Sequence, residues 1–408
     1  MIKTLKVKNY KSLRDVKINF GYKNLLIGPN MSGKSNIIDC LIFIGESAVG
    51  GGAGSSLFNS ITKRGGFEFI AWDRTVGKEV IFYIEGDFYS DSEKKAFDFT
   101  YEIALVIQSN AFHKTKEEFK IRTKQKKSLD KNIPDNWISV IDINLSKSVI
   151  YNYPDIATPR EISRDFNLAV SIDYGIGVIN DFKKYLISFY IYNINPSEIK
   201  RSAVNATLPP PFLLSNGTNI SSWFLDFKTS FSDNFNEIEK IVKDYLPNLK
   251  SLFVPLLQSG GVSLSSKEDG LKNPIIISQM SDGEVHFLAI ISLLFSPDEK
   301  MGVLYAIEEP ENYLHTRLIK AIPNLLDQRI KFLKYNMPIK EKIPQFIFTS
   351  HSIEFMNEFD INDIIFVEKK NAETIVSKPG DKKYIKKILE EEELMPSDIL
   401  VYNYSAEK

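Results

Sequence analysis

The alternation of apolar and polar positions marks strands before any motif is sought. From Phe97 to Ile107 every odd position (Phe97, Phe99, Tyr101, Ile103, Leu105, Ile107) is apolar while Asp98, Thr100 and Glu102 are polar, the period-two pattern of a half-buried strand. Runs at Val80–Ile84 and Val140–Tyr151 predict further strands on either side, and together an antiparallel meander. The chain starts with strand signals at Leu5–Val7 and Asp15–Phe20, then a short apolar run Leu25-Leu26-Ile27 that meets a glycine-containing loop and a helix beginning near Lys34. Ile37, Ile38, Leu41 and Ile42 recur at helical spacing, so this helix turns one face inward, with Cys40 in or beside that packing.

Phe235, Ile238, Ile241, Val242 and Tyr245 share the face of a second helix, which Pro247 stops. Short apolar runs then return at Ile275–Ile277, Val303–Ile307, Gln345–Thr349 and Ile364–Val367, separated by helical stretches. That rhythm predicts a mainly parallel sheet and places the chain in the α/β class. No heptad pattern is sustained, so no long coiled-coil arm is expected.

The chemistry begins where the first of these helices does. Gly28-Pro29-Asn30-Met31-Ser32-Gly33-Lys34-Ser35 fits GxxxxGKS, directly after an apolar strand and before a helix. Backbone N–H groups and the helix N-terminus there capture phosphate oxygens, Lys34 adds a charge at the β/γ positions, and the Ser35 hydroxyl is a Mg²⁺ ligand. The run Val303–Ile307 leads into Glu308-Glu309-Pro310-Glu311, where the first acid suits the Mg²⁺ shell and the second suits orienting an attacking water. Phe346-Ile347-Phe348-Thr349-Ser350-His351 presents His351 at the C-terminal end of another strand, a γ-phosphate sensor position. Met280-Ser281-Asp282-Gly283-Glu284 opens a helix with a hydroxyl and a close-approach glycine; alone it reads as a capping box of Ser281 with Glu284.

The order Asn-Tyr-Lys-Ser-Leu, GPNxSGKSN, SDGE, IEEPEN and TSHS resembles the ABC-type ATPases of the RecF/SMC/OLD kind, most closely the stand-alone ATPases related to OLD proteins in prokaryotic defence systems. Arg64-Gly65-Gly66-Phe67 and Leu213–Asn219 are weaker matches. The resemblance implies a P-loop NTPase with an ABC-like head: residues 1–75 its N-terminal part, 76–270 a β-rich and helical middle region inserted in the head, 271–370 its C-terminal part, and 371–408 a tail. It implies ATP and Mg²⁺ as ligands, with Asn30, Ser32, Gly33, Lys34, Ser35 and Asn36 around the nucleotide, Ser35 and Glu308 on the metal, and Glu309, Glu308 and His351 in catalysis. It also implies a homodimer or higher homo-oligomer in which Ser281 and Gly283 of one subunit complete the site of the other. Glu308 stands where many relatives have Asp, Asp282 and Glu284 replace the Gly and Gln of LSGGQ, and no Q-loop glutamine is placed, which leaves one Mg²⁺ contact unassigned. His315 falls near the dimer-contact loop, as an interface or a plain surface histidine.

Composition narrows the role. With 51 Lys+Arg against 52 Asp+Glu, no global charge draws the chain to nucleic acid, and no apolar run suits a membrane span. The N-terminus alternates charged and apolar residues, unlike a signal peptide, so a cytoplasmic protein is expected. One cysteine and four scattered histidines exclude a disulfide or a structural zinc site. The segment Lys114–Lys131 is the strongest basic cluster, either a solvated hairpin or a phosphate-tracking contact to nucleic acid or a partner. Glu390–Glu393 with Lys386 and Lys387 reads as a salt-bridged helix surface, and the Gly/Ser stretch Ser47–Ser56 as a loop without a second phosphate cradle. The expected function is a nucleotide-dependent sensor or regulator in phage defence, working with a separate effector, a nuclease or toxin; the alternative is a RecF/SMC-like DNA-repair ATPase. A self-contained OLD-type nuclease fits less well, since Asp360, Asp363, Asp381 and Asp398 after the His351 motif form no Asp-x-Asp pair.

Overall fold

The computed structural model describes residues 1–398 except 51–55, 75–76, 109–110, 125–136, 152, 155–158, 163–166, 203–211, 259, 298–302 and 380–394. Lys126, Lys127 and Lys131, half of the Gly/Ser stretch and the Glu390–Glu393 segment thus lie outside the described residues. A hairpin of β1 (Ile2–Tyr10) and β2 (Leu13–Asn19) is followed by β3 (Lys23–Ile27) and α1 (Lys34–Ser47). Helices α2 (Ser56–Lys63) and α3 (Phe67–Ile70) lead into strands β4 (Val80–Ser90), β5 (Lys95–Gln108), β6 (Ala111–Thr123), β7 (Ile138–Ile143), β8 (Ser148–Ile150) and β9 (Arg160–Glu161). Next come α4 (Gly177–Ile187), β10 (Phe189–Tyr192), α5 (Pro196–Arg201), α6 (Ile220–Ser230), α7 (Ser232–Tyr245), β11 (Leu249–Phe253), β12 (Ser265–Glu268) and β13 (Ile275–Ile276). The last part runs α8 (Asp282–Leu294), β14 (Leu304–Glu308), α9 (Thr316–Asn336), β15 (Gln345–Ser350), α10 (Ile353–Met356), β16 (Ile364–Lys370) and β17 (Glu373–Ser377).

The expected meander is an eight-stranded sheet in the order β2-β1-β4-β5-β6-β7-β8-β9, antiparallel throughout. Val140–Tyr151 does not run as one strand. Asn144 Oδ1 accepts the amides of Ser146 at 3.0 Å and Lys147 at 3.1 Å, and this side-chain turn separates β7 from β8.

The second sheet has the order β10-β14-β15-β3-β16-β17, parallel except for the terminal β16–β17 hairpin. Ile275–Ile277, expected in it, instead contributes β13 to a separate three-stranded antiparallel sheet with β11 and β12. A run of three apolar residues carries too little pattern to choose its sheet. Both large sheets cross the sequence divisions: β1 and β2 pair into the meander, and β10 from the middle region joins the parallel sheet.

The parallel sheet lies between two cores, and its period-two alternation decides which residue faces which. Leu26, Leu304, Ala306, Ile347 and Ile365 pack with α1, α4 and the meander. Leu25, Ile27, Tyr305, Ile307, Phe346 and Phe348 pack with α6, α7, α8 and α9. Burial on both faces is what a parallel sheet requires, and it fixes the register that lines up the strand ends. Cys40 is fully buried on α1, as its neighbours implied. Among the described residues the longest helix, α9, has 21 residues, and no helix is long and apolar enough to cross a membrane.

Candidate functional site

The ends of β3, β15 and β14 meet because their register is set by the cores. Ile27 pairs with Ser350, and Glu308 pairs with Thr349, so the three motifs emerge side by side at the C-terminal edge of the sheet, the edge where open α/β sheets bind ligands. A cleft of about 520 Å³ opens there, lined by Asn30 to Asn36 with Glu308 and Glu309. It therefore gathers Asn30, Ser32, Gly33, Lys34, Ser35, Asn36, Glu308 and Glu309 in one place.

The loop after β3 is shaped by two glycines. Gly33 caps α1 at φ 110°, a left-handed conformation, and a Cβ there would lie 2.0 Å from Thr374 Oγ1. At Gly28 a Cβ would lie 1.9 Å from the Val367 carbonyl oxygen of β16. A chain of hydrogen bonds runs behind the loop: Asn36 Nδ2 donates to Ser12 Oγ (2.7 Å), Ser12 and Thr374 hydroxyls meet at 2.6 Å, and Thr374 Oγ1 donates to the Ser32 carbonyl (2.9 Å).

Lys34 Nζ donates to the carbonyls of Gly28 (2.7 Å) and Pro29 (3.0 Å), which holds the ammonium over the loop. Burial pulls its pKa below the usual lysine range, against the opposing fields of Glu309, Glu311 and Glu308. The Ser32 hydroxyl is buried and has no hydrogen-bond partner among the described residues. An orphaned hydroxyl, the first amides of α1, which have no intrahelical acceptor, and a lysine beside two carboxylates form a donor set that fits a polyphosphate with its divalent cation.

Glu309 follows β14 with φ +45°, a strained conformation for a residue with a Cβ. Its N–H donates to the Thr349 carbonyl at 2.9 Å, and its Oε2 accepts from Asn312 Nδ2 at 2.9 Å. His351 does not line the cleft; it stands beside it, with Nδ1 3.4 Å from Glu309 Oε1 and its ring about half exposed. Glu311 is buried, with Oε1 accepting from the Ser350 hydroxyl and from the His351 N–H, while Oε2 has no partner among the described residues. Burial raises the Glu311 pKa, partly offset by those hydrogen bonds.

Ser281 and Gly283 are not brought to this cleft. Ser281 caps α8 in the expected box, its Oγ accepting from the Glu284 N–H (3.2 Å) while Glu284 Oε2 accepts from the Ser281 N–H (2.7 Å). His315, at the N-cap of α9, is exposed.

Beyond the phosphate loop, four cleft residues were not among the expected site residues: Asn193 and Lys369, outside every motif, and Asn312 and Thr349, inside IEEPEN and TSHS but given no role there. Asn193 follows β10, whose Tyr192 pairs with Ile307, so it stands beside Glu308 at the same sheet edge. The weak motif Leu213–Asn219 supports that position, since the Asn193 N–H donates to the Ser215 carbonyl at 2.8 Å. The apolar run Phe189–Tyr192 was the available signal for Asn193; Thr374, behind Gly33, had none.

The basic cluster changes character once folded. Lys114 is buried against Glu117, Lys116 pairs with Glu102 and Glu118, Lys120 with Glu118, Arg122 with Asp98, and Lys124 with Asp87 and Glu341. Glu117 and Glu118 belong to the segment itself, but Glu102 and Asp98 on β5, Asp87 on β4 and Glu341 come from elsewhere in the chain, which linear charge counting cannot see. Among the described residues, this stretch is a surface of paired charges.

A P-loop beside two strand-borne carboxylates and a histidine, on a parallel sheet flanked by an antiparallel one, defines an ABC-type, SMC-head-like ATPase fold. A family model described as "AAA domain, putative AbiEii toxin, Type IV TA system" matches residues 23–357, and the chain belongs to that family. The crystal structure of an SMC head bound to the C-winged helix domain of ScpA superposes with a TM-score of 0.53 at 16% identity, covering 92% of this chain and 97% of that one. The SMC head domain from Thermotoga maritima gives 0.44 at 14% identity, with 92% and 98% covered. An SMC head from Pyrococcus furiosus, with an extended coiled coil and bound to the C-terminal domain of ScpA, gives 0.48 at 13%, with 96% and 99% covered. No curated protein sequence matches the chain.

Proposed function

We propose that the chain binds ATP with Mg²⁺ and hydrolyses it in a head-to-tail dimer, and that in the cytoplasm it serves phage defence by passing its nucleotide state to a separate effector, a nuclease or toxin. The observation that carries the catalytic half is the division of parts: Lys34, Ser35, Glu308 and Glu309 share one cleft while Ser281 and Gly283 head α8 outside it. A second subunit supplies what is missing, Ser281 of the partner subunit with its helix N-terminus.

Lys34 neutralises the β/γ-phosphate oxygens, and Glu309 orients and polarises water, held by Asn312 and by His351. Ser35 and Glu308 are the residues to hold Mg²⁺, with Asn193 as the further polar group beside Glu308; the cation, when bound, neutralises phosphate charge. The regulatory half is supported by the family's description, which names a toxin–antitoxin system. The pairing of Lys114 to Lys124 with acids gives the DNA-repair alternative little charge to work with.

The test mixes two inactive variants. Ser281→Arg keeps its own cleft and spoils its partner's, whereas Lys34→Ala does the reverse. Mixing them is expected to restore one working site per dimer, read as ATPase activity beside light scattering. If Ser281→Arg hydrolyses ATP normally, or associated mixtures never recover activity, the composite site is wrong.

A further inference from the structure

Helix α8 contains a histidine that the chemistry above does not use. His286 lies about one turn inside the helix and is 2% exposed. Its Nε2 is 3.2 Å from the carbonyl oxygen of Pro310, the residue between Glu309 and Glu311. A carbonyl only accepts, so the neutral ring carries its proton on Nε2 and leaves Nδ1 as a lone pair. That Nδ1 is buried and has no hydrogen-bond partner among the described residues.

A phenylalanine or leucine would fill the same space without this orphaned atom, whose burial costs about 1–3 kcal/mol. The cost points to what Nε2 holds. Pro310 lies in a loop bounded by two residues in left-handed conformations, Glu309 at φ +45° and Tyr313 at φ +65°. Such backbone persists only where its surroundings fix it. On one side the fixing comes from β15, through the Thr349 carbonyl to the Glu309 N–H. On the other side it comes from α8: besides the His286 bond, the His286 and Tyr313 rings lie 5.5 Å apart, and the approach is so close that a Cβ on Gly283 would be 2.8 Å from the Tyr313 carbonyl oxygen.

We propose that His286 is a positioning residue that clamps the Glu309–Tyr313 loop to α8, and that it thereby links the Ser281–Gly283 end of the helix to the catalytic Glu309 of the same subunit. The second clause rests on the sandwich reading above: ATP held by the partner engages Ser281, and the clamp reports that engagement to the site across the subunit. The first clause needs only one chain. A loop clamped at Pro310 keeps the Glu309 carboxylate aimed, and misplacement of a catalytic group by about 1 Å costs on the order of a hundredfold in rate.

Full-length His286→Phe and His286→Gln are compared by ATP binding, kcat and KM. The glutamine amide reaches the place of Nε2 and restores the donor. The Phe variant is expected to lose at least about tenfold in kcat with KM and ATP affinity within about twofold, and the Gln variant to stay within about threefold of wild type. If Phe is not accommodated, His286→Asn, whose amide falls short of Pro310, takes its place with the same expected loss. Wild-type kcat in the Phe or Asn variant, or a Gln variant as slow as either, overturns the clamp.

The link is read as the ATP dependence of the hydrolysis rate in the dimer of unmixed subunits: a rate that rises cooperatively with ATP in wild type and without cooperativity in His286→Phe supports it, whereas equal cooperativity in the two overturns it. If mixtures of the parent variants show no activity while each folds, the sandwich reading fails and the link with it; the single-variant comparison still decides the clamp.

Discussion

Replacing Gly33 with alanine tests the idea that β17 shapes the phosphate loop. The perturbation has two parts. Holding an alanine at φ 110° costs about 1–2 kcal/mol. The new Cβ would lie 2.0 Å from Thr374 Oγ1, so that hydroxyl must leave, giving up its bonds with Ser12 Oγ (2.6 Å) and the Ser32 carbonyl (2.9 Å). At a net value of about 1 kcal/mol each, these bring the total to roughly 3–4 kcal/mol. In a Thr374→Ala background the hydroxyl is already gone, and Gly33→Ala is expected to cost the backbone part and whatever the 3.0 Å approaches to Ser12 Oγ and the Cβ of residue 374, common to both backgrounds, add. The double variant should therefore be more stable than the sum of the singles by about 2 kcal/mol, measured as urea unfolding followed by tryptophan fluorescence. Additivity within about 0.5 kcal/mol would refute the contact.

Lys34→Ala is expected to abolish ATP binding in equilibrium titration, since its ammonium sits on the loop carbonyls beneath the cleft. Glu309→Gln should bind ATP and lose on the order of 10²–10³-fold in kcat, because the amide keeps the shape and removes the charge; turnover at the wild-type rate would move the role to Glu308 or Glu311. A pH dependence follows from His286, which burial pushes down from 6.5 to about 4. The unfolded chain takes up that proton below its pKa of 6.5 and the folded chain resists it, so this stability is complete above pH 6.5 and is lost as pH falls toward about 4. At about 1.4 kcal/mol per unit, wild type should lose roughly 2 kcal/mol relative to His286→Phe between pH 7.5 and 5, seen in the difference of urea unfolding curves.

What the sequence shows clearly is what neighbours along the chain determine. GxxxxGKS, the paired acids after an apolar strand and the box at Ser281 each occupy a few consecutive residues, and each is found in the expected local structure. The strand at Phe97–Ile107 was equally plain because six apolar residues at every second position, with Asp98, Thr100 and Glu102 between the first four, leave little choice of period. Contributions from distant elements were hidden. Thr374 reaches Gly33 only because β17 folds back on β16, and Asn193 reaches the cleft only because β10 pairs with β14. The two readings of the basic cluster stayed open for the same reason: its countercharges Glu102 and Asp98 lie on β5 and Asp87 on β4 of the meander.

The two cores on either side of the parallel sheet give the site a mechanical asymmetry. The phosphate loop belongs to the side of α1, whose outer face is tied by Asp39 to Arg64 (2.8 Å) and Lys11 (2.6 Å), and so to the β1–β2 turn. Glu309 and its loop are held from the other side, by α8 through His286, in a core that also contains α6, α7 and α9. Nucleotide in the cleft would therefore touch groups anchored in both cores at once. A ligand shifts a conformational equilibrium only through differential interaction with the two states, and the γ-phosphate is the part that would face Lys34 from one core and Glu309 from the other.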